Sequence, residues 1–305
     1  MEDPGLAAQI ALPLALATIM GALGLSLTPD DFKRVFVVPR GVAIGMVNLL
    51  VLSPFLGFAV ATLYDLEPDL AVGLVIMAAA PGGTMAALLT HLARGETALS
   101  VTMTALSSVL ALVTVPFYLG LSISHFDSAV GDDVNMVRVV ASVFAITIIP
   151  LSAGMYFRAR RTAWVVEHEP RIKKVTLTVF ILVVIGAIVS ELEVITDHFT
   201  DLALATLTLN VAAMSVAYAV SRVARLNGRQ TTAISLELGV HNSTLAIAVA
   251  TSIATVLATP AAVYSMFMFF TAGAFARFMW LRNAEAAAPA EPAPTATPVS
   301  VEAGS

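Results

Sequence analysis

The sequence contains no cysteine among its 305 residues. This absence excludes disulfides, thiol nucleophiles, and metal or iron–sulfur sites built on cysteine. Charged residues are also scarce, at 12%, whereas 58% of the residues are hydrophobic. Such a composition excludes a soluble globular domain and predicts a polytopic membrane protein in contact with lipid. The sequence also lacks a basic patch with interleaved aromatic residues, so nucleic acid is not expected as a partner.

Nine hydrophobic segments, each near the ~20 residues that a bilayer-spanning helix needs, predict an all-α protein with nine transmembrane helices. The predicted helices cover residues 6–27, 39–64, 68–92, 97–123, 134–157, 175–192, 202–223, 231–253 and 258–281. The single transmembrane domain accordingly spans residues 1–283. Residues 284–305 are rich in Ala and Pro without a periodic apolar face, which predicts a disordered cytoplasmic tail.

Basic residues are distributed unevenly between the two sides of the predicted membrane. Of the 16 Lys and Arg residues, all but Arg138 lie after segments one, three, five and seven or at the C-terminal end. The opposite connections carry acids, such as Asp65, Glu67 and Asp69. The positive-inside rule therefore predicts a multi-pass plasma-membrane protein with its N-terminus outside and its C-terminus in the cytoplasm.

Glu237 is the one acidic residue that does not lie near the end of a hydrophobic segment. An acid at the centre of a membrane helix costs about 2.5–3.5 kcal/mol on insertion scales, so such residues are usually functional. Gly239, Asn242 and Ser243 are poor mid-helix residues, and they predict an interruption of the helix at membrane depth. We interpret this stretch as an ion or substrate site. The alternative is a structural carboxyl bonded to freed backbone amides.

A second interruption is predicted in the third segment. Pro81 removes a backbone donor there, and Gly82 and Gly83 weaken the helix. The two interrupted segments run in opposite directions in the predicted topology. Such a pair, together with a buried acid, is typical of inverted-repeat secondary transporters with a site at the membrane midplane.

The residues around both interruptions resemble those of the bile acid:sodium symporter family. The matching stretches are Gly21–Leu27, Asp31–Arg34, Ala80–Thr84, Leu92–Gly95, Ala98–Val101, Glu237–Gly239 and Asn242–Ser243. The resemblance implies a core domain with two crossing interrupted helices and a panel domain that moves against it. It also implies sodium-coupled symport of an organic anion, such as a bile-acid-like or small carboxylate solute, by alternating access.

The resemblance further implies which residues bind the ion and the substrate. The acid at the position of Glu237 serves two sodium sites in the family, and Ser100 and Thr104 match the hydroxyl ligands of the first. Their four-residue spacing places both hydroxyls on one helix face. The backbone around Leu238 and Val240 matches the stretch that supplies carbonyls to the second site. The residues matched to the substrate cavity are Thr84 and Asn242, with Gly82, Gly83 and Ser243 beside them.

Several positions depart from the family pattern. Ala86 and Ala87 stand where the family has a Ser-Asn pair, and Leu49 and His241 stand where it has glutamine. A sodium ion needs roughly five or six oxygen neighbours, and these replacements remove some of them. The coupling ion is therefore left open between sodium and a proton, and an uncoupled carrier is a further alternative. Met268-Phe269 replaces a polar pair of bacterial relatives and implies a more apolar substrate wall.

Glu237 and His241 are four residues apart, so they share a helix face if the segment is locally helical. A carboxyl and an imidazole in a partly dry cavity can exchange a proton near neutral pH. We hypothesise that His241 takes part in proton coupling; the alternative is a histidine that only packs at the interruption. Ser100 and Thr104 have a comparable alternative, as hydroxyls that bond back to the preceding turn.

Other residues inside the segments are assigned structural roles. Asn48 and Asn210 lie in the middle of segments two and seven and predict interhelical hydrogen bonds. Pro54 and Pro150 predict kinks near helix ends.

Two other classes of protein are less consistent with the sequence. An intramembrane enzyme needs paired acids, a Ser–His pair or a His-Glu-x-x-His motif to activate water. The sequence offers one buried acid, and four of its five histidines lie near segment ends. Neither an enzyme activity nor a cofactor other than a coupling ion is therefore expected. A membrane receptor or sensor on the same fold is the remaining alternative.

Overall fold

The computed structural model describes residues 6–190 and 192–285. The helices are α1 (Leu6–Ser26), α2 (Pro29–Val37), α3 (Pro39–Val47), α4 (Ser53–Leu63), α5 (Pro68–Ala79), α6 (Thr84–Leu92), α7 (Thr97–Phe126), α8 (Met136–Val143), α9 (Ile149–Arg160), α10 (Thr162–Ser190), α11 (Leu192–Asp197), α12 (Phe199–Val223), α13 (Gly228–Gly239), α14 (Ser243–Thr251) and α15 (Thr259–Glu285). Two 3₁₀ turns, Ala129–Asp133 and Thr255–Ala258, complete the connections. The prediction of an all-α protein is confirmed for this part of the chain.

Six helical segments within the described residues are long and apolar enough to cross a membrane. They are Pro39–Leu63, Thr97–Phe126, Met136–Arg160, Thr162–Val189, Phe199–Val223 and Thr255–Ala284. Three further apolar stretches are shorter or interrupted: α1, α5 with α6, and α13 with α14. They correspond to segments one, three and eight of the sequence. The count of nine membrane crossings stays a prediction.

The sixth segment differs most from its predicted bounds. The sequence predicts a start at Val175, whereas α10 begins at Thr162 and continues through Pro170. The charged residues in this stretch favour helix, and Lys173 and Glu169 form an exposed ion pair of 2.6 Å one turn apart. Polarity therefore marked where the apolar span begins, but not where the helix begins.

Parts of the predicted domain and tail lie outside the described residues. These are residues 1–5 at the start of the predicted domain, Glu191, and residues 286–305 of the predicted tail. The first two residues of that tail, 284 and 285, belong to α15.

Both predicted interruptions occur, and the two interrupted helices are divided in the same way. The first halves, α5 and α13, are 12 residues long. The second halves, α6 and α14, are nine residues long. Pro81, Gly82 and Gly83 lie in the first gap, and Val240, His241 and Asn242 lie in the second. The sequence therefore located both interruptions to within a few residues.

Two π-helical turns precede prolines inside long helices. Asn48–Leu52 joins α3 to α4, and Phe144–Ile148 joins α8 to α9. Pro54 cannot donate to the carbonyl of Leu50, and that carbonyl accepts a 2.8 Å hydrogen bond from the Tyr118 hydroxyl of α7 instead. The predicted distortions at both prolines thus take the form of π-helical turns, which are a known way to accommodate such residues.

The helices pack in two groups. α1 packs along α9 and α10, whereas the interrupted helices pack with α4, α7, α12 and α15. α1 and α9 approach closely at Gly24 and Gly154, where a β-carbon on Gly24 would overlap the Leu151 carbonyl and reach 3.0 Å from the Gly154 α-carbon. Glycine at this crossing therefore permits backbone contact, as is common between membrane helices.

We expect Gly24→Ala to lower the thermal unfolding midpoint in detergent, because the added methyl meets backbone atoms that cannot rotate away. Overpacking of this kind costs about 1–3 kcal/mol. Gly21→Ala is the matched control one turn earlier on α1, since its methyl would lie 3.8 Å from the Pro150 carbonyl, an ordinary contact. Equal melting of both variants would contradict the close packing of α1 on α9.

Candidate functional site

The two interruptions contact each other through their backbones. Gly83 donates from its amide to the Val240 carbonyl at 2.7 Å, and Asn242 donates to the Pro81 carbonyl at 2.8 Å. These bonds form an antiparallel bridge between Gly82 and His241. Each gap therefore provides hydrogen-bond partners for backbone groups of the other gap. Such partners are required at a depth where lipid offers none.

Glu237 lies fully buried in the last turn of α13 and faces α7. Its carboxylate accepts a 2.6 Å hydrogen bond from the Ser100 hydroxyl and a second, short bond from the Thr104 hydroxyl. A β-carbon on Gly82 would overlap the same carboxylate. The acid is thus enclosed by two hydroxyls one turn apart and by the backbone of the other interrupted helix.

This arrangement brings four of the predicted site residues together: Glu237, Ser100, Thr104 and Gly82. For Ser100, the alternative of a hydroxyl bonded only to its own helix is wrong, because its hydroxyl donates to Glu237. Thr104 also lies 3.1 Å from the Ser100 carbonyl, so its single proton has two acceptors. A carboxylate has about four lone-pair positions, and two hydroxyl bonds leave the others open.

His241 does not share the surroundings of Glu237. Helix α13 ends at Gly239, so the condition for the predicted common face is not met. The imidazole Nε2 lies 3.1 Å from the Ser53 hydroxyl of α4, and Nδ1 lies 3.3 Å from the Tyr264 hydroxyl of α15. Glu237 and His241 therefore have separate hydrogen-bond partners, and a part for His241 in proton coupling stays a prediction.

The last carbonyls before each interruption are capped by side chains from other helices. Ser53 donates to the Ala78 carbonyl of α5 at 2.7 Å. The Gly239 carbonyl of α13 accepts from the Asn210 amide at 2.7 Å and lies 3.2 Å from the Tyr264 hydroxyl. Buried carbonyls left without partners would cost free energy, so these contacts stabilise the interrupted conformation.

The residues matched to the substrate cavity begin the second half-helices. Thr84 is the first residue of α6 and is partly buried. Asn242 caps α14 by accepting at 3.1 Å from the Leu245 amide. The Ser243 hydroxyl contacts the Met268 sulfur at 3.5 Å. Leu238 and Val240 are buried, and the Val240 carbonyl already accepts from Gly83.

Sequence reasoning did not single out Ser53, Tyr264 or Ser107. The Ser107 hydroxyl does not bond to Glu237 but accepts a hydrogen bond from the Gly82 amide at 3.3 Å. Asn210 makes the predicted interhelical bonds, to Tyr264 and Gly239. The same prediction is wrong for Asn48, whose amide donates to Ile44 of its own helix. Hydroxyls in membrane helices usually bond to their own preceding turn, as Ser107 also does to the Thr104 carbonyl, so no local signal distinguished these residues.

Ser53 and His241 form a Ser–His contact, but its geometry does not activate a nucleophile. The Ser53 proton is donated to the Ala78 carbonyl, so it is not available to the imidazole. An activated serine would instead donate to the ring.

The sequence profile of the Sodium Bile acid symporter family matches residues 13–198, more than half of the chain. The chain belongs to this family. The resemblance inferred from the residues around the two interruptions is thereby confirmed. The family consists of transporters, which supports the prediction that the chain is not an enzyme.

Several curated relatives are similar to this member of the sodium bile acid symporter family. The probable sodium/metabolite cotransporter BASS2, chloroplastic, of rice is 29% identical over 236 residues, which cover 76% of this chain and 54% of that protein. The uncharacterized sodium-dependent transporter YocS of Bacillus subtilis is 27% identical over 264 residues, covering 84% and 78%. The human ileal sodium/bile acid cotransporter is 25% identical over 236 residues, covering 77% and 67%. The chain thus spans about half the length of the plant relative.

Two of the departures from the pattern of the sodium bile acid symporter family are buried. Ala86 and Leu49 are both almost fully buried, so apolar side chains fill positions where the resemblance implies oxygen ligands. Leu49 packs in an apolar cluster that includes Met103 and Leu238.

We expect Ser100→Ala and Thr104→Val each to destabilise this symporter-family member by about 1–3 kcal/mol, because each leaves a buried carboxyl with one hydrogen bond fewer. The measurement is the thermal unfolding midpoint of purified protein. Thr114→Val is the matched control on α7, since its exposed hydroxyl bonds only to the Leu110 carbonyl of its own helix. If Thr114→Val lost stability while Ser100→Ala and Thr104→Val kept theirs, the assigned carboxyl contacts would be contradicted.

Proposed function

We propose that the chain is a secondary active transporter that carries an organic anion across the plasma membrane by alternating access, coupled to a cation at Glu237. The observation that carries the proposal is the buried Glu237 carboxylate, held by Ser100 and Thr104 at the crossing of two interrupted helices. A buried acid at such a crossing is typical of coupled carriers. The relatives named for sodium-dependent transport support sodium as the cation.

The interrupted helices favour different charges at their two ends. The first halves, α5 and α13, end at the crossing, and helix C-terminal ends favour cations. The second halves, α6 and α14, begin there, and helix N-terminal ends favour anions. A cation near Glu237 and a substrate carboxylate near Thr84 and Asn242 fit this arrangement.

An apolar cavity of about 330 Å³ beside α6 supports a substrate with an apolar body. Its wall includes Met85 of α6, Phe180 of α10, and Ser265 and Phe269 of α15, with Ser265 as its one polar residue. The cavity lies where the group of helices around α1 and α10 meets the group that contains the interruptions. We assign the substrate class as an amphipathic or small organic anion, such as the bile acids for which the ileal relative is named.

The equal division of the two interrupted helices supports the proposed inverted repeat. Both have halves of 12 and nine residues, and their bridge is antiparallel. Together with α1 and the six long spans, they would make up the nine membrane crossings that we propose. The distribution of Lys and Arg supports an external N-terminus and a cytoplasmic C-terminus.

A proton is the second candidate for the coupling ion. The side chains of Ala86, Ala87 and Leu49 offer no oxygen ligands, and the Val240 carbonyl already accepts one hydrogen bond. A carboxyl that binds a proton needs fewer ligands than one that shares a sodium ion. An uncoupled carrier and a receptor or sensor on this fold are the remaining alternatives.

Cation binding should appear as stabilisation of the purified protein, since a ligand that binds the folded state stabilises it by mass action. At 100 times its dissociation constant, sodium would add about 2.7 kcal/mol. We expect a rise in the melting midpoint with sodium but not with choline, and its loss in Glu237→Gln. The same rise in Glu237→Gln would place the cation elsewhere.

Uptake into proteoliposomes tests the transport step. The probes are a radiolabelled bile acid and a radiolabelled 2-keto acid, with an inward sodium gradient, an inward proton gradient, both or neither. We expect gradient-driven accumulation in the wild type and a loss of about tenfold or more in Glu237→Gln, because a charged ligand is removed. Surface variant His198→Gln is the control.

Three outcomes of the uptake experiment would overturn parts of the proposal. Uptake that no gradient accelerates would support an uncoupled carrier. Binding of a probe without counterflow would support a receptor or sensor. Accumulation that requires protons and ignores sodium would replace sodium as the coupling ion at Glu237.

A further inference from the structure

Two arginines share the indole ring of Trp280 near the end of α15. The guanidinium carbon of Arg94 lies 4.6 Å from the ring centroid, and that of Arg277 lies 4.7 Å from it. Arg277 belongs to α15, whereas Arg94 follows the end of α6. The two guanidinium carbons are therefore no further apart than the sum of these two distances. The face of an indole attracts cations, so this ring keeps two like charges close together.

Neither of these charges is paired with an acid. None of the ion pairs among the described side chains includes Arg94 or Arg277. Their guanidinium N–H groups also donate to no acceptor in that part of the chain. A guanidinium has five N–H donors in its plane, and contact of its face with a ring leaves those donors available. Two such groups side by side suit an anion with several oxygens, and phosphate is the anion that arginine binds best in this way.

The backbone fixes the position of Arg94 relative to α15. Arg94 has a φ of 56°, and the amides of Arg94 and Gly95 bond back to carbonyls in the last turn of α6 at 3.0 and 2.8 Å. These two bonds form the Schellman motif that often ends a helix. Asn283, one turn after Trp280, donates to the Ala93 carbonyl at 2.9 Å. The turn that carries one arginine is thus bonded to the helix that carries the other.

The surroundings of the two arginines are those of a membrane edge. Arg94 and Arg277 are exposed, and Trp280 is partly buried. The apolar side chains of Leu92 and Phe278 are exposed beside them in the sequence. Tryptophan is enriched at membrane interfaces, and both arginines belong to the side that the charge distribution predicts to be cytoplasmic. A ligand at this place therefore meets cationic donors and apolar surface together.

A phospholipid offers both features, because its phosphate is joined to apolar acyl chains. Anionic lipids also give the cytoplasmic leaflet a negative surface potential that attracts Lys and Arg. A soluble phosphate would use the two guanidinium groups but not the apolar surface. The next arginine of α15, Arg282, already donates to the Tyr218 hydroxyl at 2.9 Å. We therefore restrict the site to the pair at Trp280.

We propose that Arg94, Arg277 and Trp280 form a binding site for the phosphate of an anionic phospholipid in the cytoplasmic leaflet. Each guanidinium donates to one of the two non-bridging phosphate oxygens, and the acyl chains contact the exposed apolar side chains of α6 and α15. The lipid thereby links the end of the first interrupted helix to the last helix. Lipid binding at this site does not depend on transport, and only the choice of leaflet rests on the proposed topology.

Fluorescence of Trp280 tests the site directly, because bromine on a lipid acyl chain quenches a nearby indole. The sequence has two tryptophans, so Trp164→Phe leaves Trp280 as the single fluorophore. The protein is placed in nanodiscs of phosphatidylcholine and phosphatidylglycerol, with bromine on one lipid or on the other. Each arginine near an anionic lipid surface favours binding about fivefold, so we expect a preference of about 25-fold for phosphatidylglycerol beside Trp280.

Substitution of the arginines tests which groups bind the phosphate. In the Trp164→Phe background, Arg94→Gln and Arg277→Gln should each lower the preference about fivefold, and the double variant should have none. Arg277→Lys keeps the charge without the planar fork, so it should have an intermediate preference. Arg171→Gln is the matched control, because it removes an exposed arginine from α10 on the same predicted side. Equal quenching by both brominated lipids, or an unchanged preference in the double variant, would overturn the site.

Thermal unfolding separates a lipid from a soluble anion as the ligand. We expect the protein to melt at a higher temperature in nanodiscs that contain phosphatidylglycerol than in phosphatidylcholine alone, since a ligand of the folded state stabilises it. This difference should be absent from the double variant and kept in Arg171→Gln. Inorganic phosphate, added to phosphatidylcholine nanodiscs, is the second probe. Stabilisation by inorganic phosphate without a preference for phosphatidylglycerol would overturn the lipid as the ligand.

Discussion

A helix that is interrupted inside a membrane frees backbone donors and acceptors that lipid cannot satisfy, and this constraint organises the structure. Two interruptions occur at the same place, and each supplies hydrogen bonds to the other through Gly83 and Asn242. The carbonyls of Ala78 and Gly239 are capped by hydroxyl and amide groups from α4, α12 and α15. The site therefore forms only when these helices pack against the two interruptions.

The same constraint explains why the acid and the imidazole have separate surroundings. Glu237 is in the last turn of α13, so its side chain still points outward from the helix toward the hydroxyls of α7. His241 lies beyond the helix end, in the segment that pairs with the other gap, and its ring points to α4 and α15. Two polar groups with separate partners thus lie at one backbone crossing.

The sequence predicted those features that depend on composition and local rules. A mid-segment acid and the Pro-Gly-Gly stretch located the two interruptions because both are unfavourable in an unbroken membrane helix. The predicted pairing of Glu237 with His241 failed because four-residue spacing has meaning only while the helix continues. Ser53 could not be predicted, because its partner is 188 residues away and any serine in a membrane helix can bond to its own backbone instead.

The π-helical turn Asn48–Leu52 has a consequence for how this gene can vary. A π-helical turn holds one residue more than the α-helical turn it replaces, so it resets the direction in which every later side chain of the helix points. Ser53 follows that turn immediately and depends on it to face Ala78 and His241. In-frame loss of a single codon within 48–52 would keep the helix apolar and long enough to span, yet turn this serine elsewhere. Insertions and deletions of single residues should therefore be tolerated in the loops but removed by selection from this buried turn.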